Sequence, residues 1–173
     1  MSETGSGEAT VTANGLEFRY LSAGDGPLAL LLHGFPDTAH TWRHLLPALA
    51  GAGFRAVAPW TRGYAPTQVP ADGDYTVAAL AADANALHDA LGGGPDAVLV
   101  GHDWGAITAY GAAALEPDRW RRVVTMAVPP PAVGATSRFG ITRSGRFMIV
   151  STMPVTAIAP PAPIMPIPIL PLS

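Results

Sequence analysis

Gly101-His102-Asp103-Trp104-Gly105 is the stretch whose residue types and spacing could do chemistry. A short apolar run, residues 97–100, stops at an acidic residue, and a helix-like segment follows at once. Glycines two residues either side of Asp103 permit a turn too sharp for bulkier residues. Such a turn presents one side chain at the end of a strand, where a carboxylate can act as a nucleophile and form an ester. The bland alternative is a helix N-cap, with the Asp accepting backbone N–H bonds from the first helical turn. On this pentapeptide alone the two readings are evenly balanced.

A second strand-end stretch, Leu32-His33-Gly34-Phe35-Pro36, lies upstream and tips that balance towards the nucleophile. With Arg62-Gly63-Tyr64 between them, these motifs resemble those of α/β-hydrolases of the epoxide hydrolase and haloalkane dehalogenase group. In that fold a G-x-S-x-G turn presents the nucleophile, and an upstream loop supplies half of an oxyanion hole. The resemblance implies Asp103 in the place of Ser as nucleophile. It implies the backbone N–H groups of Phe35 and Trp104 as oxyanion hole, and His33, Gly34 and Pro36 as the oxyanion loop. His33 is expected to order that loop and not to transfer protons. Dehalogenases of the group usually carry Asn after the His-Gly pair, so Phe35 points to the epoxide hydrolases. The resemblance runs from about residue 10 to residue 129.

The chemistry so implied has two steps. The carboxylate opens an epoxide and becomes an ester, and a His oriented by a second carboxylate then activates the water that cleaves it. The fold orders these groups as nucleophile, acid, His. Here all five histidines (33, 40, 44, 88 and 102) precede or adjoin Asp103, and Glu116 and Asp118 are the only later acids. Family members also carry a helical cap whose tyrosines protonate the opening epoxide, and no Tyr follows Tyr110. The expectation is an epoxide-hydrolase-like enzyme family by resemblance, with weak or no turnover in this chain. The alternatives are a non-catalytic truncated fragment or a binding and pairing module, associating through an exposed sheet edge. A haloalkane dehalogenase-like hydrolase is a lesser one, and an esterase lacks its Ser.

Positioning elements follow from the apolar pattern. Asn14-Gly15 between alternating runs predicts a hairpin. Unalternating runs at 28–32, 54–58, 97–100 and 123–128 predict strands buried on both faces, as in a parallel sheet covered by helices. Val77, Leu80, Ala84, Leu87 and Leu91 form one helical stripe, with Asp74 as its expected cap and Gly92-Gly93-Gly94-Pro95 as its stop. Residues 106–115 read as a small-residue helix, and 42–50 as a helix broken in two by Pro47. The fold class is α/β: an α/β-hydrolase core of N-terminal hairpin and mostly parallel sheet flanked by helices, truncated, without cap or C-terminal strands. His102 is expected to face away from Asp103 as a packing histidine, since strand neighbours project to opposite faces. Arg62 is expected to be structural, and His40, His44 and His88 exposed.

The 173 residues suit one domain, divided as a disordered tail at 1–8, a partial core at 9–130 and a divergent Pro-rich apolar tail at 131–173. Net charge −3 argues against nucleic acid as partner. The absence of Cys excludes disulfides and thiolate metal sites. No cofactor and no metal are expected, and the partner is a small apolar substrate. The N-terminus lacks a basic, apolar leader, so a cytoplasmic protein is expected. Residues 1–118 carry −9 and the remainder +6, while residues 147–173 carry no charge and seven Pro. That last stretch is long enough to span a membrane, but its prolines would break the helix repeatedly. Rich in Pro and without Lys, it is what a GC-rich gene yields out of frame.

Overall fold

Asn14 and Gly15 take left-handed backbone (φ 46° and 75°), the conformation a tight turn between right-twisted strands requires. In this computed structural model, which describes residues 7–128 and the backbone of 148–151, they join β1 (Gly7–Ala13) to β2 (Leu16–Ala23). Pairing is antiparallel, with Ala13 opposite Leu16. Strand β1 starts at Gly7, inside the segment expected to be a tail, and Glu8 forms an ion pair with Arg19 across the hairpin.

The four continuous apolar runs become β3 (Leu28–Leu32), β4 (Arg55–Pro59), β5 (Val98–His102) and β6 (Arg122–Met126). A seventh strand, β7 (Met148–Ser151), pairs with β6, and the order is β1-β2-β4-β3-β5-β6-β7. From β4 to β7 every pairing is parallel. Strand β7 falls in the 131–173 stretch, for which the sequence reading foresees no strand. Met148-Ile149-Val150 is a short apolar run that ends before the first of the seven prolines, so its backbone can still join a ladder. The remainder of that tail lies outside the described residues.

Every residue of β3 is buried, and its two-residue period divides the core in two. Leu28, Leu30 and Leu32 join Phe18, Val57 and Leu99 beneath α2 (Val77–Ala90) and α3 (Trp104–Leu115). Ala29 and Leu31 join Ala56, Val100 and Trp42 on the opposite face, beneath α1 (Leu45–Gly51). The expected break of 42–50 at Pro47 does not occur: the segment holds one helix, α1, preceded by a 3-10 turn at Ala39–Trp42. Pro47 is the third residue of α1, where an N–H would have no intrahelical acceptor, so it breaks nothing.

Helix α2 departs most from expectation. Its cap is Thr76, whose side chain accepts the Ala79 N–H at 3.3 Å. Asp74 accepts from Thr76 N–H instead, at 2.8 Å. Of the expected stripe, Ala84, Leu87 and Leu91 are buried, whereas Val77 is 38% exposed. Asp83, Asn85 and His88 are buried in its place, because α2 is covered by the hairpin and α3 as well as by the sheet. Asn85 satisfies both ends of its amide, accepting from Trp120 Nε1 at 2.9 Å and donating to the Ala112 carbonyl at 3.2 Å. His88, expected at the surface, stands edge-on against Trp120 with centroids 4.9 Å apart. His40 and His44 are exposed, as expected.

Candidate functional site

Strands β3 and β5 run parallel and adjacent, so the loops leaving their C-terminal ends meet. At the end of β5 the chain enters α3 through Asp103, whose backbone sits at φ 54° and ψ −117°. Few non-glycine residues occupy that region. The flanking glycines serve a different purpose from the one the sequence suggests. A Cβ on Gly101 would lie 2.2 Å from the Gly105 carbonyl oxygen, and one on Gly105 would lie 2.0 Å from that of Leu32. They permit close approach of backbone to backbone, while Asp103 itself takes the strained turn.

Asp103 caps α3 with its backbone alone. Its carbonyl accepts from Ala106 and Ile107 N–H at 2.9 and 3.2 Å, and its side chain makes no cap hydrogen bond. The carboxylate turns to the other loop, where Oδ1 accepts the Phe35 N–H at 2.9 Å. Gly34 makes that approach possible, since a Cβ there would lie 2.3 Å from Asp103 Cβ. The Trp104 N–H is the first of α3 and has no intrahelical acceptor. Pro36 follows Phe35 through a cis peptide bond.

His33 is almost wholly buried and joins two loops. Its Nδ1 donates to the Gly34 carbonyl at 3.0 Å, and its Nε2 accepts the Thr61 N–H at 3.1 Å. Burial pushes its pKa below the ordinary 6.5, in keeping with a neutral ring that both donates and accepts. Its ring meets Tyr64 edge-on, with centroids 4.6 Å apart. The Tyr64 phenol is pushed up, chiefly by burial and further by the Asp103 negative charge, so it stays protonated. Phe35, whose N–H bonds to Asp103, and Trp104, which follows it, line a pocket of about 430 Å³ together with Thr61, Tyr64 and Tyr75. Phe35 and Trp104 are 68% and 48% exposed at its mouth.

Arg62 has the expected structural role, with partners the sequence reading does not name. It grips Asp83 twice, Nε to Oδ2 at 2.6 Å and Nη2 to Oδ1 at 2.8 Å. This contact raises its pKa above the ordinary value. The available signal was the spacing of Asp83 between Leu80 and Leu87, which puts a carboxylate on the apolar face of α2.

Other polar groups lie away from Asp103. Helix α3 ends at its C-cap Glu116, about 20 Å from Asp103 at 1.5 Å per residue. There Glu116 is paired with Arg119, which also grips Asp89. A shallow concavity of about 480 Å³ beside this network therefore has its cation already neutralised. His102 is half-buried on the α1 face of β5, and its Nδ1 is buried without a partner among the described residues. No cluster of three metal-ligating side chains occurs among the described residues, and no helix there is long and apolar enough to cross a membrane.

Comparison with known proteins agrees with this fold. Residues 27–148 match the α/β hydrolase fold family. An epoxide hydrolase of Caballeronia sordidicola is 45% identical over 141 residues, which are 80% of this chain and 43% of that protein. Epoxide hydrolase A of Mycobacterium tuberculosis is 41% identical over 77% of this chain and 44% of its own length. Among solved structures, epoxide hydrolase A of Mycobacterium thermoresistibile superposes with a TM-score of 0.70 at 41% identity. That match covers 76% of this chain and 42% of the other. The chain thus spans less than half the length of the relatives it matches. It belongs to the α/β-hydrolase fold family, and the relatives it matches there are epoxide hydrolases.

Proposed function

We propose that Asp103 is the nucleophile of an epoxide-opening reaction and that this chain forms its alkyl ester. The observation that carries the reading is the Asp103 carboxylate itself, withdrawn from its own helix and bonded through Oδ1 to the Phe35 N–H at 2.9 Å. Oδ2 attacks an epoxide carbon, the C–O bond breaks, and the ring oxygen keeps the electron pair and takes a proton from water in the open pocket. The turn around Asp103 is then a nucleophile elbow. A water attacking the ester carbonyl would place negative charge on Oδ1, where the Phe35 and Trp104 N–H groups form the oxyanion hole. That second step needs a base. His33 has both ring nitrogens engaged, His40 and His44 are at the surface, and His88 packs on Trp120. His102 lies on the α1 face of the sheet. In this chain the ester therefore persists.

Styrene oxide, a reactive apolar epoxide, tests the reading. Intact mass should increase by one epoxide per chain, the Asp103→Asn variant should remain unmodified, and little diol should appear. An unmodified wild type would overturn the assignment of Asp103, and steady diol production would overturn the persistent ester. A small apolar epoxide as substrate is part of the same proposal, supported by relatives that are named as epoxide hydrolases.

Pairing is a second reading, favoured by the outer edge of β1, which no other strand covers among the described residues and which carries neither Pro nor Lys across its seven residues. If that edge binds a second copy, size-exclusion chromatography should give a discrete dimer, and Thr10→Pro should return it to monomer.

A further inference from the structure

Separate segments of the chain converge on one buried carboxylate outside the Asp103 turn. Asp83, on α2, holds Arg62 by two hydrogen bonds, and both side chains are about 95% buried, at 5% and 4% exposed. From the hairpin turn, Asn14 Nδ2 donates to Asp83 Oδ1 at 2.7 Å. The remaining Arg62 nitrogen, Nη1, donates to the Asp74 carbonyl at 3.0 Å. One guanidinium thus fixes both ends of the connection between β4 and α2. Between those ends lie Tyr64 and, just beyond Asp74, Tyr75, which with Thr61 line the pocket beside Asp103.

This connection, residues 60–76, contains no helix or strand. A loop of that length inside a compact domain needs an external restraint to keep one shape. Burying an ion pair is a poor way to gain stability, since an apolar pair of similar volume often serves as well. A planar guanidinium gripped at two points supplies orientation instead. Orientation of Arg62 is orientation of the backbone carrying Thr61 and Tyr64.

We propose that Asp83 is a positioning residue: through Arg62 it sets the distance of the 61–75 wall from Asp103, and thereby the affinity for the epoxide. The proposal rests on the reading of Asp103 as nucleophile, but the state of the wall can be measured without it. Small misplacements of a binding wall cost binding and rate far out of proportion to their size.

The test compares wild type with the double variant Arg62→Met/Asp83→Leu, which removes the pair without leaving a buried charge alone. Two quantities are read: the concentration dependence of adduct formation with styrene oxide by intact mass, and hydrogen exchange of backbone amides. The half-saturating epoxide concentration should rise about tenfold while the limiting rate changes by less than about threefold. Exchange should accelerate at the amides of Thr61, Tyr64 and Thr67, which are now bonded to His33, Thr61 and Tyr64. Amides of β3 and β5 should remain protected. Asn85→Ala serves as control, because it removes the amide bonded to Trp120 Nε1 and the Ala112 carbonyl, and none of these three residues lines the pocket. It should lower the melting temperature and leave half-saturation unchanged.

Unchanged half-saturation or unchanged wall exchange in the double variant overturns the proposal. So does an equal rise in half-saturation in Asn85→Ala at an equal loss of melting temperature. If wild type takes up no epoxide, the Asp103 reading falls and the exchange measurement alone decides whether Asp83 fixes the wall. Should the double variant not fold, Asp83→Asn keeps the side-chain shape and an acceptor for Asn14, and the same two quantities decide.

Discussion

Asp103 combines a strained backbone with an unusual carboxylate partner. A non-glycine residue in such a region costs on the order of 1–3 kcal/mol. Replacing Asp103 by Gly should therefore raise stability by roughly 1 kcal/mol, seen as a higher melting temperature, while abolishing uptake of epoxide. Gly34→Ala should act in the opposite direction. Its Cβ would lie 2.3 Å from Asp103 Cβ, so either the loop or the carboxylate must move. Adduct formation should slow at least tenfold in a kinetic mass assay, a loss on the order of 1.4 kcal/mol in barrier terms. His33 sets a pH dependence. Its folded pKa lies below 6.5, so between those values the unfolded chain binds a proton that the native ring does not. Stability must then rise with pH through that window and fall as pH drops below 6.5. Urea titrations from pH 7 to pH 5 should show this slope flattened in His33→Gln. The sequence made Asp103, His33 and Phe35 legible because local motifs announce strand ends. It did not reveal the Asn14–Asp83 contact, which joins residues 69 apart and depends on how the hairpin folds over α2.

Element by element, legibility followed burial. The hairpin and strands β3 to β6 were readable because Asn-Gly fixes a turn and an unbroken apolar run has few alternatives. Helix α2 was placed correctly, but its buried face was not. A single apolar stripe assumes one covered side, and α2 is covered on more than one, with polar residues on the additional faces satisfied by distant partners such as Trp120 and Arg62. Its start depends on Thr76, so Thr76→Ala should cost about 1 kcal/mol in denaturant melts. Strand β7 was missed because Met148–Ser151 is only four residues long and its pairing partner is β6, not a sequence neighbour joined by a recognisable turn.

At the scale of the whole molecule, the chain carries the hairpin and the parallel sheet of an α/β-hydrolase with the Asp103 turn at one end. It covers 43% of the length of a relative named as an epoxide hydrolase. On the proposed reading its residues carry attack and ester formation without release of the ester. Peptide mapping after brief exposure to styrene oxide tests it most directly, since cleavage at Arg isolates residues 63–119 with Asp103 inside. The account predicts one epoxide mass on that peptide, placed on Asp103 by fragmentation and retained after the reagent is removed. Modification of His40, His44 or another exposed side chain with Asp103 untouched would contradict it.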